Sequence, residues 1–250
     1  MGTRFIGIIP ARYASTRFPG KPLALLNGKP MIQHVCEHVA SAPLDQYVVA
    51  TDDERIFQCV RSFGGKVVMT APSHPSGTDR CGEAAHILQL HDDDVVVNIQ
   101  GDEPFISANE ICLLTGLFDN PAVHIATLVK PIDDLAIATD PNKVKVVTDH
   151  NGKALYFSRL PIPYVRDHNG PVPTYLQHLG IYAYRCKTLR ELILLPPSDL
   201  EQCEKLEQLR WLENGYSIHT APCQYNGIGI DTPADLEHVQ ALLNQPNKDL

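Results

Sequence analysis

The sequence predicts an α/β fold, a mostly parallel doubly wound sheet with an inserted antiparallel hairpin lobe. Three observations carry that expectation. Short, continuously apolar runs such as Phe5-Ile6-Gly7-Ile8-Ile9 and Val95-Val96-Val97 recur along the chain, and strands apolar on both faces belong to sheets covered on both sides. Segments of helical periodicity separate these runs, as right-handed βαβ units require. Further on, Asn151-Gly152 stands between two alternating segments, the strongest short-range signal for a hairpin.

The elements follow in order. A first strand covers 5–9, and Pro30 is expected at the first position of a helix carrying Met31, Ile32, Val35 and Val39, with a stop near Pro43. Strand 47–51, helix 54–63 closed by Gly64-Gly65, strand 66–70, helix 79–90 and strand 95–100 come next. Segments 143–148 and 154–158 form the hairpin, and the proline-rich stretch 160–174 reads as a surface excursion. A strand at 176–185, a helix at 201–213 ended by Asn214-Gly215, and a last helix at 233–243 complete the series. A chain of 250 residues, 44% of them hydrophobic, buries about three quarters of its unfolded surface in one core. Without an internal repeat or linker, it is expected to form a single domain over 1–250, with the lobe at about 143–185 serving as lid and dimerisation surface.

Composition narrows the class. The formal net charge of -8 argues against a nucleic-acid binder, which needs a broad basic face. Seven cysteines, odd in number and without a C-x-x-C spacing, point to reduced thiols in a reducing compartment rather than a disulfide framework. Polar residues interrupt every apolar run short of membrane-spanning length, so a soluble, cytoplasmic protein without a membrane partner is expected.

Against that acidic balance, the first thirty-six residues contain Arg4, Arg12, Arg17, Lys21 and Lys29 and no carboxylate before Glu37. Three of these cations sit in the loop that leaves the first strand. Gly20, Pro19 and Pro22 keep it out of a helix, and Ser15 and Thr16 add hydroxyl donors. It is either a cradle for a triphosphate or a solvated basic turn. It is not a P-loop, because Ser15 occupies the first glycine position and Pro22 the position of the magnesium-binding hydroxyl; nor does a G-x-G-x-x-G follow the strand.

Two carboxylates complete the chemistry. Asp102 in Gln100-Gly101-Asp102-Glu103-Pro104 ends the fourth strand, where it is either a hard oxygen ligand for magnesium or an Asx turn. Asp231 precedes Thr232, a candidate N-cap for the helix starting at Pro233, and is either a turn residue or a second ligand. His34-Val35-Cys36-Glu37-His38 spells an H-x-x-E-H zinc motif, but it lacks an evident further ligand and reads as surface polarity on a helix.

The segment Pro10-Ala11-Arg12-Tyr13-Ala14-Ser15-Thr16-Arg17-Phe18-Pro19-Gly20-Lys21-Pro22-Leu23 resembles the signature of the 3-deoxy-manno-octulosonate cytidylyltransferases, the CMP-Kdo synthetases. The Asp102 and Asp231 segments match the same family, as do Ser76-Gly77-Thr78-Asp79-Arg80, His178-Leu179-Gly180-Ile181-Tyr182 and Leu206-Glu207-Gln208-Leu209-Arg210, in one order from residue 8 to residue 237. The resemblance implies a fold of nucleotide-diphospho-sugar transferase type and a homodimer. It also implies transfer of CMP from CTP to the anomeric hydroxyl of Kdo, giving CMP-Kdo and pyrophosphate for lipopolysaccharide biosynthesis with Mg2+ as cofactor. Carried over by position, it assigns Arg12, Lys21, Asp102 and Asp231 to catalysis, and the two aspartates to the metal. Ala11, Arg12, Ser15, Thr16, Lys21, Ser76, Thr78, Arg80 and Gln100 fall on the CTP side, and Arg159, His178, Tyr182, Glu207 and Gln208 on the sugar side. A guanidinium such as Arg159 suits a sugar carboxylate.

The chain departs from the pattern at Tyr164, Gln177, Ala183 and Ile228, and the first two bear on which 2-keto sugar acid is accepted. The alternatives are a CMP-sialic acid synthetase, a non-catalytic nucleotide binder, and a nucleotide-sugar glycosyltransferase using Asp92-Asp93-Asp94 as its metal site.

Overall fold

A computed structural model describes residues 2–15, 17–132, 134–167, 173–225, 229–230 and 232–243. The chain divides into two compact units, Met1–Cys112 with Arg185–Leu189 and Tyr225–Leu250, and Leu113–Tyr184 with Arg190–Gln224.

The first unit begins with β1 (Phe5–Ala11), the short pair β2 (Leu25–Leu26) and β3 (Lys29–Pro30), and α1 (Met31–Val39). Then come β4 (Gln46–Thr51), α2 (Glu54–Ser62), β5 (Val67–Met69), α3 (Gly77–Ile87), β6 (Val95–Asn98) and α4 (Ala108–Gly116). The strands run parallel in the order β6-β1-β4-β5, with Ile8 facing Val48 on one side and Asn98 on the other. Ile6, Ile8, Ile9, Val49, Val96 and Val97 are fully buried, as strands sandwiched between helices must be.

Three boundaries move for local reasons. Helix α1 starts at Met31, not at Pro30, because Pro30 is extended (φ -56°, ψ 141°) and pairs with Leu25 in β3. Helix α3 starts at Gly77, two residues before the expected 79, because the Ser76 hydroxyl accepts the Asp79 N–H at 3.1 Å and caps it there. Strand β6 ends at Asn98 instead of 100, although Ile99 N still donates to Ile8 O at 3.0 Å. Ahead of β6, Asp94 is buried, accepting from Arg4 Nε at 2.9 Å, Arg4 Nη2 at 2.5 Å and His91 N at 2.8 Å.

The second unit contains β7 (Ile125–Ile132), α5 (Leu135–Thr139), β8 (Lys145–Thr148), β9 (Ala154–Ser158) and β10 (Tyr175–Arg185) up to Tyr184, and α6 (Cys186–Leu192) begins in the first unit and passes into the second at Arg190. After them come α7 (Asp199–Glu204), α8 (Glu207–Glu213) and β11 (Ile218–Pro222); α9 (Pro233–Leu243) then closes the chain in the first unit, where Val239 and Ile230 pack with Leu26 and Met31. Strand β7 pairs parallel with β11 and antiparallel with β10, and β8 pairs antiparallel with both β10 and β9. The hairpin turn between β8 and β9 is held by Asp149, whose Oδ1 accepts from Asn151 N and Lys153 N, each at 2.8 Å. The helix expected over 201–213 is two helices: Lys205 adopts a left-handed conformation (φ 53°, ψ 48°) that ends α7, and the Glu201 carboxylate, accepting Ser198 N at 3.2 Å, starts it at Asp199. The continuous polar pattern hides that break.

Lys145 is fully buried, and its ammonium donates to Asp140 O at 2.8 Å and Arg159 O at 2.5 Å. Removal from water pulls its pKa below the usual lysine value. All seven cysteines are thiols: Cys36, Cys81, Cys186 and Cys223 buried, Cys59 half-buried, Cys112 and Cys203 exposed. Burial pushes the Cys36 thiol up to about 12. Among the described residues no helix is long and apolar enough to cross a membrane.

Candidate active site

The candidate site of the first unit lies beyond the carboxyl end of β1, where a parallel sheet presents its ligand crevice. The loop after β1 folds back on itself because the Tyr13 carbonyl accepts both Ser15 N and Gly20 N at 2.9 Å. Gly20 has φ 72°, a left-handed conformation, and a Cβ there would stand 2.9 Å from the Tyr13 ring. A 3-10 turn over Lys21–Leu23 follows. The loop after β6 approaches closely, since a Cβ on Gly101 would meet the Pro10 carbonyl at 3.0 Å.

These loops enclose a cavity of about 270 Å³, near the lower end of ligand-pocket sizes. The β1 loop contributes Ala11, Arg12, Ser15 and Lys21, the start of α3 contributes Ser76 and Arg80, and the β6 loop contributes Gln100 and Asp102. Lys21 Nζ lies 2.5 Å from Asp102 Oδ2, with side-chain exposures of 12% and 32%. Arg80 is buried, held by Asp52 at 3.2 Å and Thr70 Oγ1 at 2.5 Å, so its charge is fixed in the wall. The Ser76 hydroxyl donates to Asp79 Oδ2 at 2.5 Å, and Thr78 is buried in the helix without lining the cavity. Thr16 and Asp231 lie outside the described residues.

Not every early cation joins this site. Arg4 is committed to Asp94, and Lys29 bonds Glu37 at 2.8 Å, so Arg12, Arg17 and Lys21 are the members of the basic segment that line the cavity. Arg17, the third cation of the loop, and His74 also line the cavity. Arg17 carries the same cationic signal as its neighbours, whereas nothing in the spacing marks His74.

Asp102 is a hard oxygen donor at a phosphate-sized cationic cavity, which fits a magnesium ion that keeps most of its shell from phosphates and water. Ile230 N donates to Asp102 O at 3.2 Å. Among the described residues no group of three or more His, Cys, Asp or Glu side chains is arranged to hold a metal by itself. The H-x-x-E-H segment is no exception: His34 Nε2 bonds Leu26 O at 2.7 Å, and Glu37 is taken by Lys29 and Gln33. The Asp92-Asp93-Asp94 run of the glycosyltransferase alternative is a turn with Asp92 and Asp93 exposed, and Asp94 is given to Arg4, which removes the run as a metal site.

The cytidylyltransferase family model matches residues 6–218. A 3-deoxy-manno-octulosonate cytidylyltransferase of Phocaeicola vulgatus is 55% identical over 249 residues, covering 97% of this chain and 98% of that one. The chain belongs to the 3-deoxy-manno-octulosonate cytidylyltransferase family. A relative of the same name from Bacteroides thetaiotaomicron is 53% identical over 247 residues, 96% of this chain and 98% of its own. Among solved structures, a CMP:2-keto-3-deoxy-manno-octonic acid synthetase complexed with CTP superposes with a TM-score of 0.90 at 47% identity, over 96% of this chain and 98% of that one.

In this cytidylyltransferase the residues expected on the sugar side all belong to the second unit. Arg159 donates through Nε to Glu204 O at 2.7 Å, through Nη1 to Pro141 O at 2.9 Å and through Nη2 to Lys205 O at 3.3 Å, so main-chain carbonyls hold its fork. His178 meets Thr127 Oγ1 at 3.1 Å and the Phe157 ring edge-on at 5.0 Å. Burial pushes its imidazole down to about 3, leaving it neutral. Tyr182 packs against His178 at 5.2 Å and Trp211 at 5.1 Å, and burial raises its phenol well above the ordinary value. Among the described residues Tyr182 Oη and Gln208 Nε2 are buried without a hydrogen-bond partner, while Glu207 accepts from Arg210 Nη2 at 2.9 Å.

Proposed function

We propose that the protein transfers the CMP moiety of CTP to the anomeric hydroxyl of Kdo, releasing pyrophosphate and forming CMP-Kdo for lipopolysaccharide biosynthesis. The observation that carries this reading is the cavity after β1, where Arg12, Arg17, Lys21 and Arg80 surround space for a small polyanion and Asp102 stands on its edge beside Lys21.

Arg12 and Lys21 bind the triphosphate and orient its α-phosphorus. The sugar hydroxyl attacks in line, a new P–O bond forms to the anomeric oxygen, and the α–β bridging P–O bond breaks. Arg12 and Lys21 face the charge that develops on pyrophosphate as it departs. Ala11, Ser15, Thr16, Ser76, Arg80 and Gln100 form the nucleotide side, with Ser76 and Arg80 fixed by α3, while Thr78 supports that helix from within. Asp102 and Asp231 would hold a magnesium ion, which when bound withdraws charge from the phosphates and acidifies the attacking hydroxyl. Arg159, His178, Tyr182, Glu207 and Gln208 form the acidic sugar's side. There the neutral imidazole of His178 and the un-ionised phenol of Tyr182 offer hydrogen bonds without charge.

A cytoplasmic homodimer belongs to the same reading, as do one domain over 1–250 and a lid and dimerisation lobe at about 143–185. The test is pyrophosphate release from CTP and magnesium with Kdo or sialic acid as acceptor. Turnover with Kdo and not sialic acid is expected; turnover with sialic acid alone, or CTP binding without turnover, overturns the assignment.

A further inference from the structure

We infer that Arg55 is a positioning residue for the phosphate cradle, acting through the ring of Tyr13. The inference rests on the reading of the cavity as a CTP site. Arg55 Cζ lies 3.3 Å from the Tyr13 ring centroid, well inside the range of a cation–π contact. The same guanidinium is fixed from its other side: Nε donates to Asp53 Oδ1 at 2.9 Å and Nη2 to Asp53 Oδ2 at 2.6 Å. Asp53 is itself the N-cap of α2 and accepts Arg55 N at 2.9 Å. The fork is therefore tied to the first turn of a helix, although the side chain is 58% exposed.

Tyr13 is the hub of the loop it presents to that fork. Its carbonyl closes the loop by accepting from Ser15 N and Gly20 N, and its ring is the surface on which left-handed Gly20 rests. Arg12 precedes it, and Lys21 follows Gly20. Holding the ring therefore holds both cations that face the triphosphate. Arg55 does not line the cavity, so any effect on CTP must pass through the loop. A clamped loop spares binding the ordering entropy that a mobile one would lose. The plain alternative is a surface ion pair with Asp53 alone, which leaves CTP affinity untouched.

Isothermal titration of CTP into the full chain with magnesium decides between them, using Arg55→Ala, Arg55→Lys, Tyr13→Leu and the Arg55→Ala/Tyr13→Leu double variant. Arg55→Ala should weaken CTP by about two- to fivefold, the scale of an exposed cation–π contact, with kcat at saturating CTP unchanged. Arg55→Lys should recover part of the loss, because an ammonium keeps the ring contact and gives up the fork. The double variant should bind no more weakly than Tyr13→Leu, since each change removes the same contact. Wild-type affinity in Arg55→Ala, or losses that multiply in the double variant, overturns the inference. A wild-type chain that fails to bind CTP would instead sink the functional reading, so the two failures are distinct.

Discussion

Replacing Lys21 with methionine keeps the length of the side chain and removes its charge. In the structure Lys21 Nζ is 2.5 Å from Asp102 Oδ2 and its side chain is 12% exposed, so the ammonium is mostly shielded from bulk water. A unit charge at about 4 Å from a phosphate oxygen is worth about 4 kcal/mol at an effective dielectric near 20. Solvent entering the open cavity and the remaining cations reduce the loss to about 2–3 kcal/mol, or about 30- to 150-fold in kcat/KM for CTP at 1.4 kcal/mol per tenfold. Steady-state pyrophosphate release, with each substrate varied at saturating concentration of the other, reads the effect. KM for Kdo should change by less than about threefold, because the lost charge faces the nucleotide and not the sugar. An unchanged kcat/KM for CTP, or a rise in KM for Kdo as large as that for CTP, would refute the assignment of Lys21 to the triphosphate.

Asp102→Asn should lower pyrophosphate release about a hundredfold or more while titration calorimetry still detects CTP binding; unimpaired turnover contradicts the metal role. Gly20→Ala places a Cβ against the Tyr13 ring at a left-handed position and should weaken CTP about tenfold, from a strain of about 1–2 kcal/mol; an affinity equal to wild type means the loop relaxes elsewhere. Lys205→Gly should stabilise the chain by about 1 kcal/mol in urea denaturation, because Lys205 occupies a left-handed cap that glycine adopts without a Cβ penalty; a lower urea midpoint contradicts this. His178, with its pKa pushed down to about 3, binds its proton in the unfolded chain below about 6.5 but not in the native one. Its contribution to stability is therefore intact above that value and lost as pH falls toward 3. The urea midpoint of His178→Gln should decline less than that of wild type between pH 7 and 4, and parallel declines would show that native His178 takes up its proton as readily as in the unfolded chain.

The parallel half of the fold was legible because burial on both faces leaves an unmistakable apolar record, as in β1, β4 and β6. The hairpin at 145–158 announced itself through Asn151-Gly152. Elements α4, α5, α6, β7 and β11 left weaker traces. Strand β7 interrupts its apolar run with Lys130 and Pro131, and β11 is five residues containing His219 and Pro222. The break at Lys205 was invisible because a left-handed lysine has no compositional signal. In the site, the cationic loop could be read directly, but which cations serve it could not, since Arg4 finds an acidic partner distant in sequence and Lys29 one in the helix that follows it. Arg55 escaped notice for the opposite reason: its partner is an aromatic face, which no charge pattern reveals.

The uneven exposure of the seven thiols gives the chain an internal gauge of its own opening. An alkylating reagent added to native protein should mark Cys112 and Cys203 first and Cys59 more slowly, while Cys36, Cys81, Cys186 and Cys223 stay unmodified until the segment around each comes apart. Cys36, Cys81 and Cys186 belong to α1, α3 and α6, and counting mass increments on their peptides over time would rank those helices by how readily each lets solvent in, with no label engineered into the protein.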